Sequence, residues 1–422
     1  MRALLFKVHR TNTIYSHSSP NSPIQFGLFN LFIQRRWKKP ADTAQTRLEN
    51  RSRDPKLDLL TAQIRKLNIA LHLFDLMSQR RRPYVSVQIM SRWTNIVGLN
   101  VSIGDFLGNF PHVFEVFTHS VRKNMCCSVT RNMMALIEEE KAVMEEYELE
   151  NVRRVKKLLM MSKEGVLHLH ALRLVRRELG LPVDFRESIL RKYAEDFNLV
   201  DLEVVALVER DERLAVGYVE HWREKEYKEK WLSEFETKYA FPINFPTGFV
   251  IEKGFKDKLK DWQRLSYVKP YEKEVKRIRT KAGIERFEKR VVGVLHEFLS
   301  LTVEKMMDVE RFVHFRKDLG IEVNFRELLL KHPGIFYIST KGETQTVYLR
   351  EAYSKGGLIE SNPFYDVRRK MLDLMLLGRR NTKELKVNKE SNAGRRSVET
   401  DKIVEGTRDG DWVIPLLERS DN

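Results

Sequence analysis

Ile284, Phe287, Val291, Val294, Leu295, Phe298 and Leu301 recur at helical spacing and predict one long helix with a buried stripe. That stripe reads as core. Thr130 can cap a second helix running to about Ser162. It is acidic early (Glu138 to Glu140) and basic late (Arg153, Arg154, Lys156, Lys157), the order the helix dipole favours. Elsewhere the pattern shifts to short extended runs in pairs. The pairs are Val113–Phe117 with Cys126–Val129, Phe197–Val200 with Val204–Val208, and Ile335–Ile338 with Thr346–Leu349. After Gly378 the chain turns polar and loses periodicity, so 381–422 reads as a disordered polar tail.

The paired runs belong to a repeat. Residues 177–190 read RELGLPVDFRESIL and residues 317–330 read KDLGIEVNFRELLL, offset by 140 throughout. A fainter copy lies 82 residues before the first of these, with Gly98, Leu99, Val101 and Ile103 in the places of Gly180, Leu181, Val183 and Phe185. Each copy has one grammar. A helix ends at a glycine suited to a left-handed cap. A short extended piece follows, then a second helix that Asp184 or Asn324 can cap. Two short strands close the copy. Helix, turn, helix, hairpin is the outline of a winged helix. The expected fold is therefore mainly α with short β-hairpins: tandem winged-helix-like repeats near 90–130, 165–210 and 305–350, joined by long helices within a body spanning 42–380. Such modules bind nucleic acid or hold proteins together, and fold alone does not choose between these.

Charge changes the picture. The 422 residues carry 75 Lys and Arg against 59 Asp and Glu, a net +16, which points to a polyanionic partner. Gly (20) and Pro (13) are too few for a turn-rich all-β chain. The only cysteines, Cys126 and Cys127, are adjacent, which excludes a disulfide framework and a Cys-based zinc site. No apolar run is long enough for a membrane span. Met1 to Ala41 contains no Asp or Glu, seven Lys or Arg and many Ser and Thr, the signature of an organelle transit peptide. The MRALLFKVHR opening favours the mitochondrion, with the chloroplast as the alternative, and cleavage near Arg35-Arg36-Trp37. Removing seven positive charges from +16 leaves +9, so the body is basic in its own right.

The charge concentrates at 249–281, with eleven Lys or Arg against five Asp or Glu and interleaved rings. Lysines and arginines neutralise phosphates, and flat rings stack on unpaired bases. The candidate RNA-binding residues here are Lys253, Lys256, Lys258, Lys260, Trp262, Arg264, Tyr267, Lys269 and Tyr271. The other reading is a solvated basic segment whose rings pack inward, and Trp262 alone fits that reading slightly better. Arg186, Arg191 and Lys192, then Arg326, Lys331 and His332, lie on the second helices of two repeats. They suit backbone or loop contacts in RNA, whose major groove is too narrow for a helix. Arg186 and Arg326, each followed by Glu, equally suit structural ion pairs. Further basic clusters are Arg80-Arg81-Arg82 and Arg153 to Lys157.

Catalytic motifs are missing. There is no Walker loop, GxSxG or HExxH, and His296-Glu297 lacks a second histidine. His168 and His170 stand two apart, off any common helix face. No cofactor and no small-molecule substrate is called for, and a binding protein is expected rather than an enzyme.

Four segments carry a family resemblance: TRLENRSRDPKLD (46–58), RELGLPVDFRESIL (177–190), FPINFPTGFVIEKGFKDKLKDWQRLSYVKPYE (241–272) and KHPGIFYIS (331–339). Together they resemble the plant organelle RNA recognition (PORR-domain, or "What's This Factor") proteins, from about Thr46 to about Arg380. The resemblance implies a protein imported into mitochondria or plastids that binds organellar introns, chiefly group II, and aids their splicing, with other splicing factors as possible partners. It brings no catalytic residues. One departure stands out: the second hairpin is interrupted by Asp201 and has no obvious glycine turn. Two rivals remain on the residues alone, an organellar DNA-binding winged-helix protein and an interaction scaffold in an RNA-processing complex. A protein-only nuclease is a remote third.

Overall fold

The computed structural model describes residues 44–230, 238, 240–246, 248–250, 253–272, 280–321 and 323–391, with side chains up to residue 377. The expected transit peptide (1–41) lies outside the described residues. Gly98, Gly180 and Gly320 hold left-handed φ of 69°, 74° and 62°. The amide after each reaches back five residues: Leu99 N to Thr94 O (2.9 Å), Leu181 N to Arg176 O (2.8 Å) and Ile321 N to Arg316 O (2.9 Å). That is a glycine-closed helix end with an apolar residue just beyond it. The repeated Gly-Leu or Gly-Ile is thus a backbone requirement.

Each glycine sits in a unit of one topology. A strand leads in, short helices follow, and a hairpin returns so that its last strand lies between the other two. The units use β1 (Tyr84–Ser86), β2 (Phe114–Thr118) and β3 (Met125–Val129); β4 (Val166–His168), β5 (Phe197–Asp201) and β6 (Val204–Leu207); and β7 (Met306–Asp308), β8 (Phe336–Ser339) and β9 (Thr346–Leu349). All pairs are antiparallel, in the orders β1-β3-β2, β4-β6-β5 and β7-β9-β8. The described chain is mainly helical with these small sheets. In the second unit Leu199 and Asp201 flank a bulge, and the Asp201 carboxylate accepts the Leu202 amide at 2.6 Å. An aspartate turn replaces the missing glycine.

Several helices differ from expectation. The segment after Thr130, whose hydroxyl accepts the Met133 amide, is two helices, Arg131–Glu146 and Glu148–Met161. They break at Tyr147, whose ring packs against Phe364. Asp184 does not cap with its side chain; its carbonyl accepts from the Glu187 and Ser188 amides, and a wide π turn, Arg186–Arg191, follows. Asn324 caps as expected, accepting the Glu327 amide. Ile284 is 42% exposed, because it lies in the first turn of Lys281–Leu301 before that helix enters the core. The polar stretch after 380 continues the helix Pro363–Ser391, since Lys, Glu, Leu and Arg are good helix formers without an apolar stripe; 392–422 lies outside the described residues.

Lys281–Leu301 is the central helix. Its second half is buried all round, as expected of a helix at the heart of a domain. It belongs to the larger core, with the second and third units. A second core gathers the first unit around the helices Pro55–Ser78 and Pro363–Ser391. The 46–58 segment clamps the first of these to the third unit. Asp54 caps Pro55–Ser78 and pairs with Arg350 at 3.0 Å. Buried Asp58 accepts from the Tyr337 hydroxyl (2.9 Å) and the Ser339 hydroxyl (2.5 Å), while Arg51 donates to the Ile338 carbonyl (2.8 Å). No described helix is long and apolar enough to cross a membrane.

Gly180→Ala is expected to cost about 2 kcal/mol: it forces a left-handed Ala and sets a Cβ 3.1 Å from the Phe364 ring. Gly108→Ala, in an exposed helical position with nothing within 4 Å, should gain about 0.5 kcal/mol. Urea unfolding of both variants checks the pair; equal midpoints would contradict the glycine-cap account.

Candidate nucleic-acid interface

The segment Phe241–Pro246 lies along the third unit. The Asn244 amide donates to the Gly334 carbonyl at 2.8 Å, and Arg350 returns a bond to the Asn244 carbonyl at 3.1 Å. Gly334 is tight: a Cβ there would meet Ile243 at 2.5 Å. The chain then rises through Gly254, at φ 80°, into the basic helix Phe255–Arg264. Its period sends Phe255, Leu259, Trp262 and Gln263 inward and Lys256, Lys260 and Arg264 outward in one i, i+4 row. Phe255 joins the stacked pair Phe245 and Phe249. Gln263 exchanges two hydrogen bonds with the Phe241 backbone (2.8 and 3.4 Å).

The end of this helix rests on Lys289 of the central helix. Its side chain is fully buried, and its Nζ donates to the carbonyls of Trp262 (3.2 Å), Gln263 (2.8 Å) and Leu265 (2.8 Å). It also lies 5.1 Å from the Trp262 ring centre. Carbonyls at a helix end lack the amide of a following turn, here only the Trp262 carbonyl gaining the Leu265 amide (3.2 Å), and a cation suits the negative end of the dipole. Burial, with the nearby Arg223 guanidinium, nevertheless pushes the lysine pKa down to about 7. The other side of Trp262 meets His332, with ring centres 4.5 Å apart. Burial and the neighbouring Lys331 and Lys289 push that imidazole down to about 3, so it packs as a neutral ring.

This arrangement divides the predicted residues. Lys253, Lys256, Lys258, Lys260 and Arg264 are exposed and make no ion pair among the described residues. Lys269 is exposed and pairs with Glu220 at 3.4 Å. The rings go the other way. Tyr271 is a correction: it is buried, and its hydroxyl donates to Glu297 at 2.6 Å, so it has no face for a base. Burial and that carboxylate hold its phenol well above the ordinary range. Tyr267 lies beneath the Arg223 guanidinium, 4.0 Å from ring centre, and edge-on to Phe241. Trp262 is wedged between Phe241 and His332. These three rings are packing groups, because a ring long enough to reach a base also fills the space under a helix.

The other clusters are mostly paired within the chain. Arg191 pairs with Glu187, Lys192 with Glu148, and Lys331 with Glu288 and Glu327. The buried Nε of Arg186 has no partner, and Arg326 is half-buried. Arg154 donates to the Leu179 carbonyl, Lys156 pairs with Asp196, and Lys157 reaches Glu297. His296 bonds Glu351 at 2.7 Å, and His168 faces Asp318 at 3.2 Å. No group of three or more His, Cys, Asp or Glu is placed to hold a metal among the described residues. Sequence reasoning missed Lys289 because a lysine in a buried helix looks like any other charge; its one signal is its place among Phe287, Val291 and Val292.

Lys289→Met tests the buried cap. The folded pKa lies below the unfolded one, so between about pH 7 and 10 the unfolded chain binds more protons and stability rises with pH. The stability of the natural chain relative to the variant should climb across that window, by on the order of 4 kcal/mol at most. A difference that stays flat from pH 6 to 10 in urea titrations would count against it.

The plant organelle RNA recognition domain family matches residues 52–380. The chain is 35% identical over 347 residues to Protein ROOT PRIMORDIUM DEFECTIVE 1 of Arabidopsis thaliana, covering 79% of this chain and 85% of that protein. It is 29% identical over 349 residues to Protein WHAT'S THIS FACTOR 1, chloroplastic, of Zea mays, covering 80% and 69%. It is likewise 29% identical over 335 residues to Protein WHAT'S THIS FACTOR 9, mitochondrial, of Arabidopsis thaliana, covering 76% and 84%. No solved structure matches. With most of its length matched and its carrying segments placed in the core and under the basic helix, the chain belongs to the plant organelle RNA recognition family.

Proposed function

We propose that this protein binds organellar intron RNA and promotes group II intron splicing as a non-catalytic chaperone. The observation that carries the reading is the outward row of the basic helix: exposed cations without ion pairs among the described residues, on a helix locked from beneath. That row, with exposed Lys253 and Lys258 beside it, can displace condensed counterions from a phosphate backbone and so bind without reading bases. We further propose that the three units are winged-helix-like modules, on the strength of their shared strand order. The organelle is the mitochondrion, with the chloroplast as the alternative, and the acid-free first 41 residues are the address. The protein holds the intron in a competent fold; the RNA, with its own bound Mg²⁺, carries out the transesterification.

Lys256→Ala/Lys260→Ala/Arg264→Ala should weaken binding to single-stranded RNA by about ten-fold and flatten the log–log salt dependence by about 2. Tyr271→Phe should leave that slope unchanged while costing about 1 kcal/mol of stability, because it removes only a buried hydrogen bond. Filter binding against salt, with duplex DNA of equal length as competitor, decides the matter. Duplex DNA binding at least as tightly as RNA would overturn the reading, as would the absence of any enriched intron region in RNA recovered with the protein from organelles.

A further inference from the structure

We infer that the β2–β3 hairpin of the first unit, together with Arg80, Arg81 and Arg82, is a second phosphate-backbone site for single-stranded RNA. The inference rests on the RNA-binding reading above. The hairpin turn is built to display charge. The His119 amide donates to the Asn124 carbonyl and the Lys123 amide to the His119 carbonyl, both at 2.9 Å. The His119 Nδ1 accepts from the amides of Val121 and Arg122, each at 3.2 Å. The ring proton therefore sits on Nε2 and points to the Tyr84 hydroxyl at 3.0 Å. Arg82 donates to the same hydroxyl at 3.2 Å, which joins the triple arginine to the hairpin. Arg82 also lies over the Tyr84 ring, and Arg80 over Trp93. Arg80, Arg81, Arg82, Arg122 and Lys123 are all exposed, and none makes an ion pair among the described residues.

Its two counterparts are unlike it. The hairpin of the second unit is acidic and apolar at its turn, with Asp201 and Glu203 beside exposed Val200 and Leu202. That of the third is tucked in, with Gly342 against Thr61 and the Glu343 carboxylate against Gly98. One topology thus appears three times, and only the first hairpin is both free and basic. Its sheet stands on the smaller core and the basic helix on the larger, so the two cation sets are separately anchored. A single strand held at both gains from effective concentration as well as from charge.

The test uses the whole chain and a fluorescein-labelled single-stranded RNA of roughly 30 nucleotides, titrated by anisotropy over a salt series. The variant is Arg81→Ala/Arg122→Ala/Lys123→Gly. Glycine is chosen because Lys123 stands at φ 56°, where alanine would add strain. The slope should flatten by about 2, both in the natural chain and on top of the basic-helix triple variant. Ultraviolet crosslinking of the unaltered protein should recover RNA on the peptide 119–125, a readout that needs no variant. If the basic-helix variant loses affinity while the hairpin variant binds as the natural chain does and no crosslink falls on 119–125, the second site is wrong and the RNA reading stands. If neither variant changes binding, both are wrong.

Discussion

A lysine buried against three carbonyls sets the candidate RNA surface. Lys289 closes the open end of the basic helix and lies under the Trp262 ring, so one side chain fixes the helix along its length and about its axis. Burying an ammonium is unfavourable unless it is satisfied by hydrogen bonds, and here the last carbonyls of a helix supply them. The consequence is directional. With the inner face committed to Trp262, Gln263 and Phe255, the lysines and arginine of the outer row have nowhere to go but solvent.

The same logic runs through the surrounding core. Glu297 on the central helix gathers the Tyr271 hydroxyl, Lys157 and the Tyr218 amide (2.6 Å), and so ties the segment after the basic helix to the second unit. Asp54 and Asp58 do the equivalent work for the third unit. Segments that carry the family resemblance, 46–58, 241–272 and 331–339, turn out to be clamps and supports as much as contact surface. Buried polar groups with complete partners specify one arrangement of the helices, and that arrangement is what gives the exposed charges a fixed spacing.

The repeat, its glycine caps, the hairpins and the central helix were legible in the sequence, because each rests on a local rule: a left-handed glycine, an Asn cap, a periodicity. The lead strands β1, β4 and β7 were not. Each has three residues, too few to show a period, and each exists only because the hairpin offers it an edge. The basic helix was legible as charge but not as a two-sided object. Tyr267 and Tyr271 looked like stacking platforms beside the lysines, Trp262 leaned toward the core, and tertiary packing engaged all three. Asp201 looked like an interruption and is the turn itself.

On the proposed reading the basic helix grips phosphates and leaves bases unread. The most direct measurement is the affinity of the intact protein for an unstructured RNA against the same backbone with its bases removed. Base stacking on aromatic platforms is worth about 1–3 kcal/mol per base, so a stacking site would lose about five-fold or more for each stacked base taken away. The account predicts affinities within a few-fold of one another and the same salt slope for both strands. A large loss on the abasic strand, with the slope unchanged, would show that rings meet bases after all and would contradict it.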